Sequence, residues 1–104
     1  MAVHESKGSV LDDLFEPEEA AEFKLKAALA RRIRQSMEQK MLTQKQAAAQ
    51  TGMRQPDISK IVNYKFAEIG LDRLFRALSR LGVDVRIALP DHPDGSDGSV
   101  EVVA

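Results

Sequence analysis

The sequence predicts a small, mostly α-helical domain that ends in one short β-strand. Apolar residues recur at intervals of three and four through most of the chain, which is the period of a helix that buries one face. Only the stretch 83–89 alternates apolar and polar residues, and it predicts the strand. The 104 residues include no cysteine and no apolar run long enough to span a membrane. Disulfides, thiolate chemistry and membrane insertion are therefore not expected.

The net charge of −1 conceals three blocks of different sign. Residues 1–30 carry three Lys and seven acidic residues, whereas residues 31–86 carry twelve Lys or Arg and five acidic residues. Residues 87–104 carry four acidic residues and no Lys or Arg. A basic centre between acidic ends suits a protein that binds a polyanion. Ordinary solvated helix faces would give the same excess, so charge alone leaves both interpretations open.

The first two predicted helices have clear terminal signals. One begins at Pro17 and runs to about Gln39, because proline suits a first helical turn and the following acids complement the helix dipole. The other begins at Thr43, where Thr43 and Gln46 have the spacing of a capping box, and it ends at Gly52. The apolar stripe predicted for the first helix consists of Ala21, Leu25, Ala28, Leu29, Ile33 and Met37.

Two further helices are predicted, from about Gln55 to Tyr64 and from about Leu71 to Leu81. Pro56 falls in the first turn of the former, where its missing N–H is not needed. The predicted buried residues of these helices are Ile58, Ile61, Val62, Leu71, Leu74, Phe75, Leu78 and Leu81. The residues predicted to point away from the core are Asp57, Ser59, Lys60 and Asn63.

The second and third helices, joined by only Gly52-Met53-Arg54, have the spacing of a helix-turn-helix. Small Ala47 and Ala48 would let the two helices cross closely. In the DNA-binding use of this motif the second helix enters the major groove, where Arg suits guanine and Gln suits adenine. The residues predicted to read bases are Arg54, Gln55, Ser59 and Lys60. The residues predicted to contact phosphates are Thr43, Gln44, Lys45, Asn63, Tyr64 and Lys65. The alternative is a helical hairpin from an unrelated bundle, and Tyr64 could equally cap the core.

Residues 42–65 resemble the helix-turn-helix of the XRE/Cro-type regulators. The matching residues are Thr43, Gln44, Ala47, Ala48, Gly52, Gln55, Pro56, Ile58 and Ser59. The wider stretch from Val10 to Leu89 resembles small bacterial antitoxins of the HigA type. It matches in the segment 11–15, in the first helix through 26–34, and in the strings RQPDISKI and LDRLFRALSRLGVDVRIAL. Pro56 departs from the polar residue that many relatives have there, which removes one possible base contact.

The resemblance implies a five-helix, lambda-repressor-like DNA-binding domain that acts as a homodimer on a palindromic operator. It also implies a partner toxin similar to the RelE or HigB ribonucleases, and a bacterial protein of the cytoplasm and nucleoid. The expected function is a sequence-specific regulator that acts as a repressor, serves as an antitoxin and regulates its own operon. The alternative is an α-helical interaction module that inhibits a partner without binding DNA.

The chain divides into a predicted arm (1–16), a helix-turn-helix domain with its terminal strand (17–89) and an acidic tail (90–104). The apolar cluster 10–15 in the arm would either pack on the core, which we favour, or contact a partner. The residues predicted to share one face of the strand are Val83, Val85, Ile87 and Leu89. This strand needs a neighbour from a second copy, a partner protein or the C-terminal residues.

The sequence favours a protein without enzymatic activity, cofactor or metal. It has no glycine-rich phosphate loop, and its glycines are scattered at the ends of predicted elements. The two histidines, His4 and His92, fall in predicted loops. A metal site built from Asp91, His92 and Asp94 is conceivable, but a solvated loop explains these residues better.

Overall fold

The computed structural model describes residues 2–3 and 17–103 of the chain. These residues contain four α-helices, which are α1 (Pro17–Gln39), α2 (Gln44–Thr51), α3 (Gln55–Val62) and α4 (Leu71–Arg80). They fall into two compact units, one spanning Lys26–Val85 and the other drawn from Met1–Leu25 and Arg86–Ala104. The unit Lys26–Val85 contains α2, α3 and α4 entire, and therefore holds every residue predicted to contact DNA.

The core of the unit Lys26–Val85 is contributed by all four helices. α2 packs against both α3 and α4. Most predicted stripe positions are confirmed as buried, namely Leu29, Ile33, Met37, Ile58, Ile61, Leu74, Leu78 and Leu81. The other predicted positions, namely Ala21, Leu25, Ala28, Val62, Leu71 and Phe75, are only half-buried. Phe66 and Ile69, in the connection between α3 and α4, complete the core.

The capping box at the start of α2 is confirmed. The Thr43 hydroxyl accepts a hydrogen bond from the Gln46 N–H at 3.1 Å, and the Gln46 amide oxygen accepts one from the Thr43 N–H at 2.9 Å. Gly52 ends the helix with φ of +76°, a conformation that a side chain would strain. Both ends of α2 are therefore set by local sequence signals.

Replacing Thr43 by Ala is expected to lower the free energy of unfolding by about 1 kcal/mol, because the Gln46 N–H loses its acceptor. Thermal unfolding followed by circular dichroism measures the difference. Thr43→Ser is the matched control, since it keeps the hydroxyl and should stay within a few tenths of a kcal/mol of the wild type. Equal losses for the two variants would show that the hydroxyl does not hold the helix start.

Two of the helices are followed, two residues after their last residue, by a non-glycine residue in the left-handed conformation. Met41 follows α1 with φ of +54°, and Tyr64 follows α3 with φ of +64°. The next N–H reaches back into the helix in each case, from Leu42 to the Met37 carbonyl at 2.9 Å and from Lys65 to the Lys60 carbonyl at 2.7 Å. These bonds satisfy carbonyls that the helix end leaves free. As a result α3 ends at Val62, two residues before the predicted end.

The predicted strand 83–89 is not formed within the single chain. Residues 83–90 have no regular secondary structure, and of the predicted face Val83 is half-buried while Val85, Ile87 and Leu89 are 39, 69 and 88% exposed. Alternating apolar residues fix only which side chains share a face. A strand also needs hydrogen bonds to a neighbouring backbone, and no described segment supplies them to residues 83–89.

The second unit contains the β-structure found among the described residues. Ala2–Val3 (β1) pairs antiparallel with Val102–Val103 (β2), and Ala2 lies opposite Val103. Of the five expected helices, four are found among the described residues. The arm segment 10–16, for which core packing or partner contact was predicted, lies outside the described residues.

Candidate nucleic-acid interface

The turn between α2 and α3 is held by a buried threonine. The Thr51 hydroxyl donates to the Ala47 carbonyl at 2.7 Å and accepts from the Met53 N–H at 3.3 Å. The Gly52 N–H donates to the Ala48 carbonyl at 3.0 Å. Thr51 and Met53 are both buried. The angle between the two helices is therefore fixed by hydrogen bonds and packing, as a rigid recognition element requires.

α3 has a buried face and an exposed N-terminal end. Ile58 and Ile61 are completely buried. The Arg54 side chain, at the N-cap position, is 79% exposed, and Gln55 and Pro56 in the first turn are also exposed. Two of the four predicted base-reading residues therefore stand together at the exposed start of the helix.

The other two predicted base-reading residues, Ser59 and Lys60, lie one turn further along α3 and are half-buried. The Lys60 amine lies 3.6 Å from a Glu68 carboxylate oxygen, in a pair whose side chains are 41 and 85% exposed. Such an exposed pair is weak and can give way to another contact. The Ser59 hydroxyl accepts from the Asn63 amide at 3.2 Å and keeps its own proton for donation.

The first group of predicted phosphate contacts lies at the start of α2. Thr43 and Lys45 are exposed there, and Gln44 is half-buried. The Thr43 oxygen is used in the capping box, but its hydroxyl proton stays available to a phosphate. The Gln46 N–H is already bonded, so the backbone donors left for an anion at this end are those of Gln44 and Lys45.

The second group lies just after α3, where Asn63, Tyr64 and Lys65 are all exposed. Tyr64 is 70% exposed, so it does not cap the core. The Arg34 guanidinium carbon lies 4.1 Å from the centre of the Tyr64 ring, and an Arg34 N–H donates to the Ile61 carbonyl at 3.1 Å. This stacked arginine on α1, which the sequence analysis did not single out, orients the tyrosine at the surface.

A family model described as a helix-turn-helix domain matches residues 10–89 of the chain. The chain belongs to this family. Comparisons with curated proteins and with solved structures find no match. Membership of a helix-turn-helix domain family indicates a DNA-binding regulator, in which the second helix of the motif meets the major groove.

Asp57 is the main residue of this helix-turn-helix domain that sequence reasoning misplaced. It was predicted to point away from the core, but it is buried with 2% of its surface exposed. Its carboxylate accepts a hydrogen bond from the Arg73 guanidinium on α4 and lies 3.5 Å from the Arg54 Nε. Asp57 therefore pairs with two arginines, the predicted base-reading Arg54 and Arg73 on α4.

The ion pair also changes the protonation of Asp57. The hydrogen bond from Arg73 holds the pKa of the Asp57 carboxyl below its ordinary value, against the opposing effect of burial. The charges of Arg73 and Arg54 lower this pKa further. The carboxylate is thus ionised at neutral pH, which keeps Arg54 tethered at the start of the reading helix.

Neither a membrane span nor a metal cluster is found in the part of the helix-turn-helix protein that the structure describes. No described helix is long and apolar enough to cross a bilayer. At the conceivable metal site, Ser96 hydrogen-bonds both His92 at 3.1 Å and Asp94 at 2.7 Å. His92 and Asp94 therefore both have a hydrogen-bond partner, Ser96, within their own loop.

Proposed function

We propose that this protein is a sequence-specific DNA-binding transcriptional regulator that reads a half-site with α3. The observation that carries the proposal is the asymmetry of α3, with Ile58 and Ile61 fully buried and Arg54 and Gln55 exposed at its start. Because the N-terminal part of a recognition helix meets base edges, these exposed side chains have the position that reading requires.

In the proposed complex, base reading and phosphate binding are divided along the motif. Arg54, Gln55, Ser59 and Lys60 contact bases, and Lys60 leaves Glu68 to do so. The exposed groups at the start of α2 and after α3 bind phosphates, which set the register of the protein on the duplex. The phosphate-binding set is Thr43, Gln44, Lys45, Asn63, Tyr64 and Lys65.

Replacing Gln55 by Ala is expected to weaken binding to the preferred duplex by about 1–3 kcal/mol and to leave binding to unrelated DNA unchanged. The salt dependence should also stay the same, because an uncharged base contact releases no counterions. Fluorescence anisotropy with a duplex that the wild type selects from random sequence measures both quantities.

Gln39→Ala is the matched control for this prediction, since Gln39 is an exposed glutamine at the end of α1. It should bind like the wild type. An unchanged preference in Gln55→Ala would remove Gln55 from the reading set. If the wild type selects no duplex at all, DNA binding is refuted and the protein is instead an interaction module.

We further propose that the regulator is a homodimer on a palindromic operator, with half-sites about 34 Å apart. The exposed apolar residues Val85, Ile87 and Leu89 support this, because an alternating segment that finds no strand partner among the described residues can pair with its copy. Sedimentation velocity of the wild type and of Ile87→Asp tests the pairing. We expect a dimer and a monomer respectively, and two equal species would refute it.

The antitoxin role is the most specific part of the proposal. It is supported by the resemblance of residues 42–65 to XRE/Cro-type regulators and of residues 10–89 to HigA-type antitoxins. The protein would then neutralise a RelE- or HigB-like toxin and, by occupying its own promoter, exclude polymerase as a repressor. It would act without enzymatic activity, in the bacterial cytoplasm and nucleoid. A neighbouring gene for a small basic protein that copurifies with this chain is expected, and failure of the two to copurify would contradict the role.

A further inference from the structure

A small pocket lies behind the turn of the helix-turn-helix. Its volume is about 80 Å³, and its lining combines the turn with one face of α4. The lining residues are Thr51, Gly52, Met53, Arg73, Arg76 and Arg80. Three of the six are arginines at intervals of three and four, so they lie along one face of the helix. The pocket is thus a concentration of positive charge beside the recognition element.

Little negative charge balances these arginines. Arg73 is hydrogen-bonded to the buried Asp57, and its side chain stays 37% exposed. Among the described residues, neither Arg76 nor Arg80 forms an ion pair, and both are exposed. Arg80 also complements the C-terminal end of the α4 dipole. Two guanidinium groups are therefore free to bind an anion at this pocket.

The turn is shaped to bring Arg80 close. A Cβ atom at Gly52 would lie 2.6 Å from a terminal nitrogen of Arg80, so any side chain at this position would displace the guanidinium. The Gln50 amide also donates to the Arg80 carbonyl at 3.4 Å. The glycine that ends α2 therefore both makes the turn and leaves space for a cation against it.

The pocket stands at the far end of α2 from the predicted phosphate contacts of Thr43, Gln44 and Lys45. The eight residues of α2 rise about 12 Å in total. Since each DNA strand carries one phosphate about every 3.4 Å of helix axis, the two ends of α2 can reach different phosphates of one duplex. The pocket is linked to the start of α3 through Asp57, because its carboxylate pairs both with Arg73 in the pocket lining and with the exposed Arg54.

We propose that Arg76 and Arg80, with the turn at Gly52, bind a phosphate of the DNA backbone other than the one held by the start of α2. This inference rests on the proposed DNA-binding function and adds α4 to the contact surface. Arg73 keeps its pairing with Asp57 and raises the positive potential of the pocket. The contact fixes the register of the protein on the duplex and carries no sequence information.

The test compares binding of the wild type and the double variant Arg76→Gln, Arg80→Gln to the selected duplex and to an unrelated duplex over a range of salt concentrations. Both substituted residues are exposed, and thermal unfolding verifies that the variants are folded. We expect the double variant to bind both duplexes more weakly by the same factor. The slope of log affinity against log salt should become shallower by about 2.

Two matched variants separate the pocket from general charge. Arg86→Gln removes one positive charge at an exposed position outside the pocket lining, and it should keep the wild-type slope. Arg76→Lys preserves the charge and should also keep the wild-type slope.

In a parallel series, single phosphates of the duplex are replaced by neutral methylphosphonates. At least one replacement should weaken the wild type and leave the double variant unaffected.

The failures are distinguishable. If Gln55→Ala weakens binding while the double variant binds with the wild-type affinity and slope, the protein reads DNA and the pocket proposal is overturned alone. If the double variant retains DNA binding but loses an acidic protein that the wild type captures, the pocket serves that protein and the proposal is again overturned. A wild type that binds neither duplex overturns both this inference and the proposed function.

Discussion

Replacing Ile58 by Ala is expected to lower the free energy of unfolding by about 3 kcal/mol. Ile58 is completely buried in the middle of α3, so the substitution removes apolar burial and leaves a cavity that the surrounding core cannot fully close. Since small domains are stable by only about 5–15 kcal/mol, this is a large part of the total. Urea unfolding followed by circular dichroism measures the loss.

Ile58→Val is the matched control, because it removes one methylene and should cost about 1 kcal/mol. If core packing sets the stability, the loss in free energy of unfolding should grow with the volume removed, from Ile58→Val to Ile58→Ala. A loss well below 1 kcal/mol in Ile58→Ala would contradict the buried position of this residue and, with it, the outward direction of Arg54 and Gln55.

Replacing Asp57 by Asn is expected to cost about 2 kcal/mol of folding stability at neutral pH. The amide keeps the size of the side chain and one hydrogen bond to Arg73, but it loses the charge that pairs with Arg73 and Arg54. The loss stays below the roughly 3–5 kcal/mol of a fully buried pair, because Arg73 is partly exposed to water. Asp84→Asn, at an exposed position, is the control and should change stability by less than about 0.5 kcal/mol.

The effect of Asp57 should depend on pH. Its folded-state pKa is below the ordinary value, mainly through the hydrogen bond from Arg73, so the carboxylate stabilises the fold fully above the unfolded pKa. That stabilisation is lost as the pH falls through the lower, folded-state pKa. The gap between wild type and Asp57→Asn should therefore be constant above about pH 5 and shrink below about pH 4. A gap that widens towards acid would contradict the assigned pairing.

The sequence predicts the helices well wherever local chemistry decides the outcome. Thr43 and Gln46 form the predicted capping box, and Ile33 and Leu74, at the centres of two predicted stripes, are buried as expected. The end of α3 was harder to place, because the left-handed residue that follows it, Tyr64, carries no glycine signal. The alternating pattern at 83–89 was not enough to predict a strand, since a strand forms only where a neighbouring backbone supplies hydrogen bonds.

The exposed candidates for base reading follow from the same periodicity that places Ile58 and Ile61 inside. The Asp57 pair required more than local pattern. Asp57 lies one helical turn before Ile61, on the apolar side of α3, so a buried acid was already signalled by its position. Its partner Arg73 is sixteen residues away, and only the packing of α4 against the motif brings the two together.

The central claim is that the exposed start of α3 meets DNA. Titration of the ¹⁵N-labelled protein with the selected duplex, followed by amide chemical shifts, tests it most directly. The account predicts that the largest shifts fall on residues 54–60, with further changes at 43–45 and 63–65. Shifts confined to the exposed surface of α1 or to the ends of the chain, with 54–60 unaffected, would contradict it.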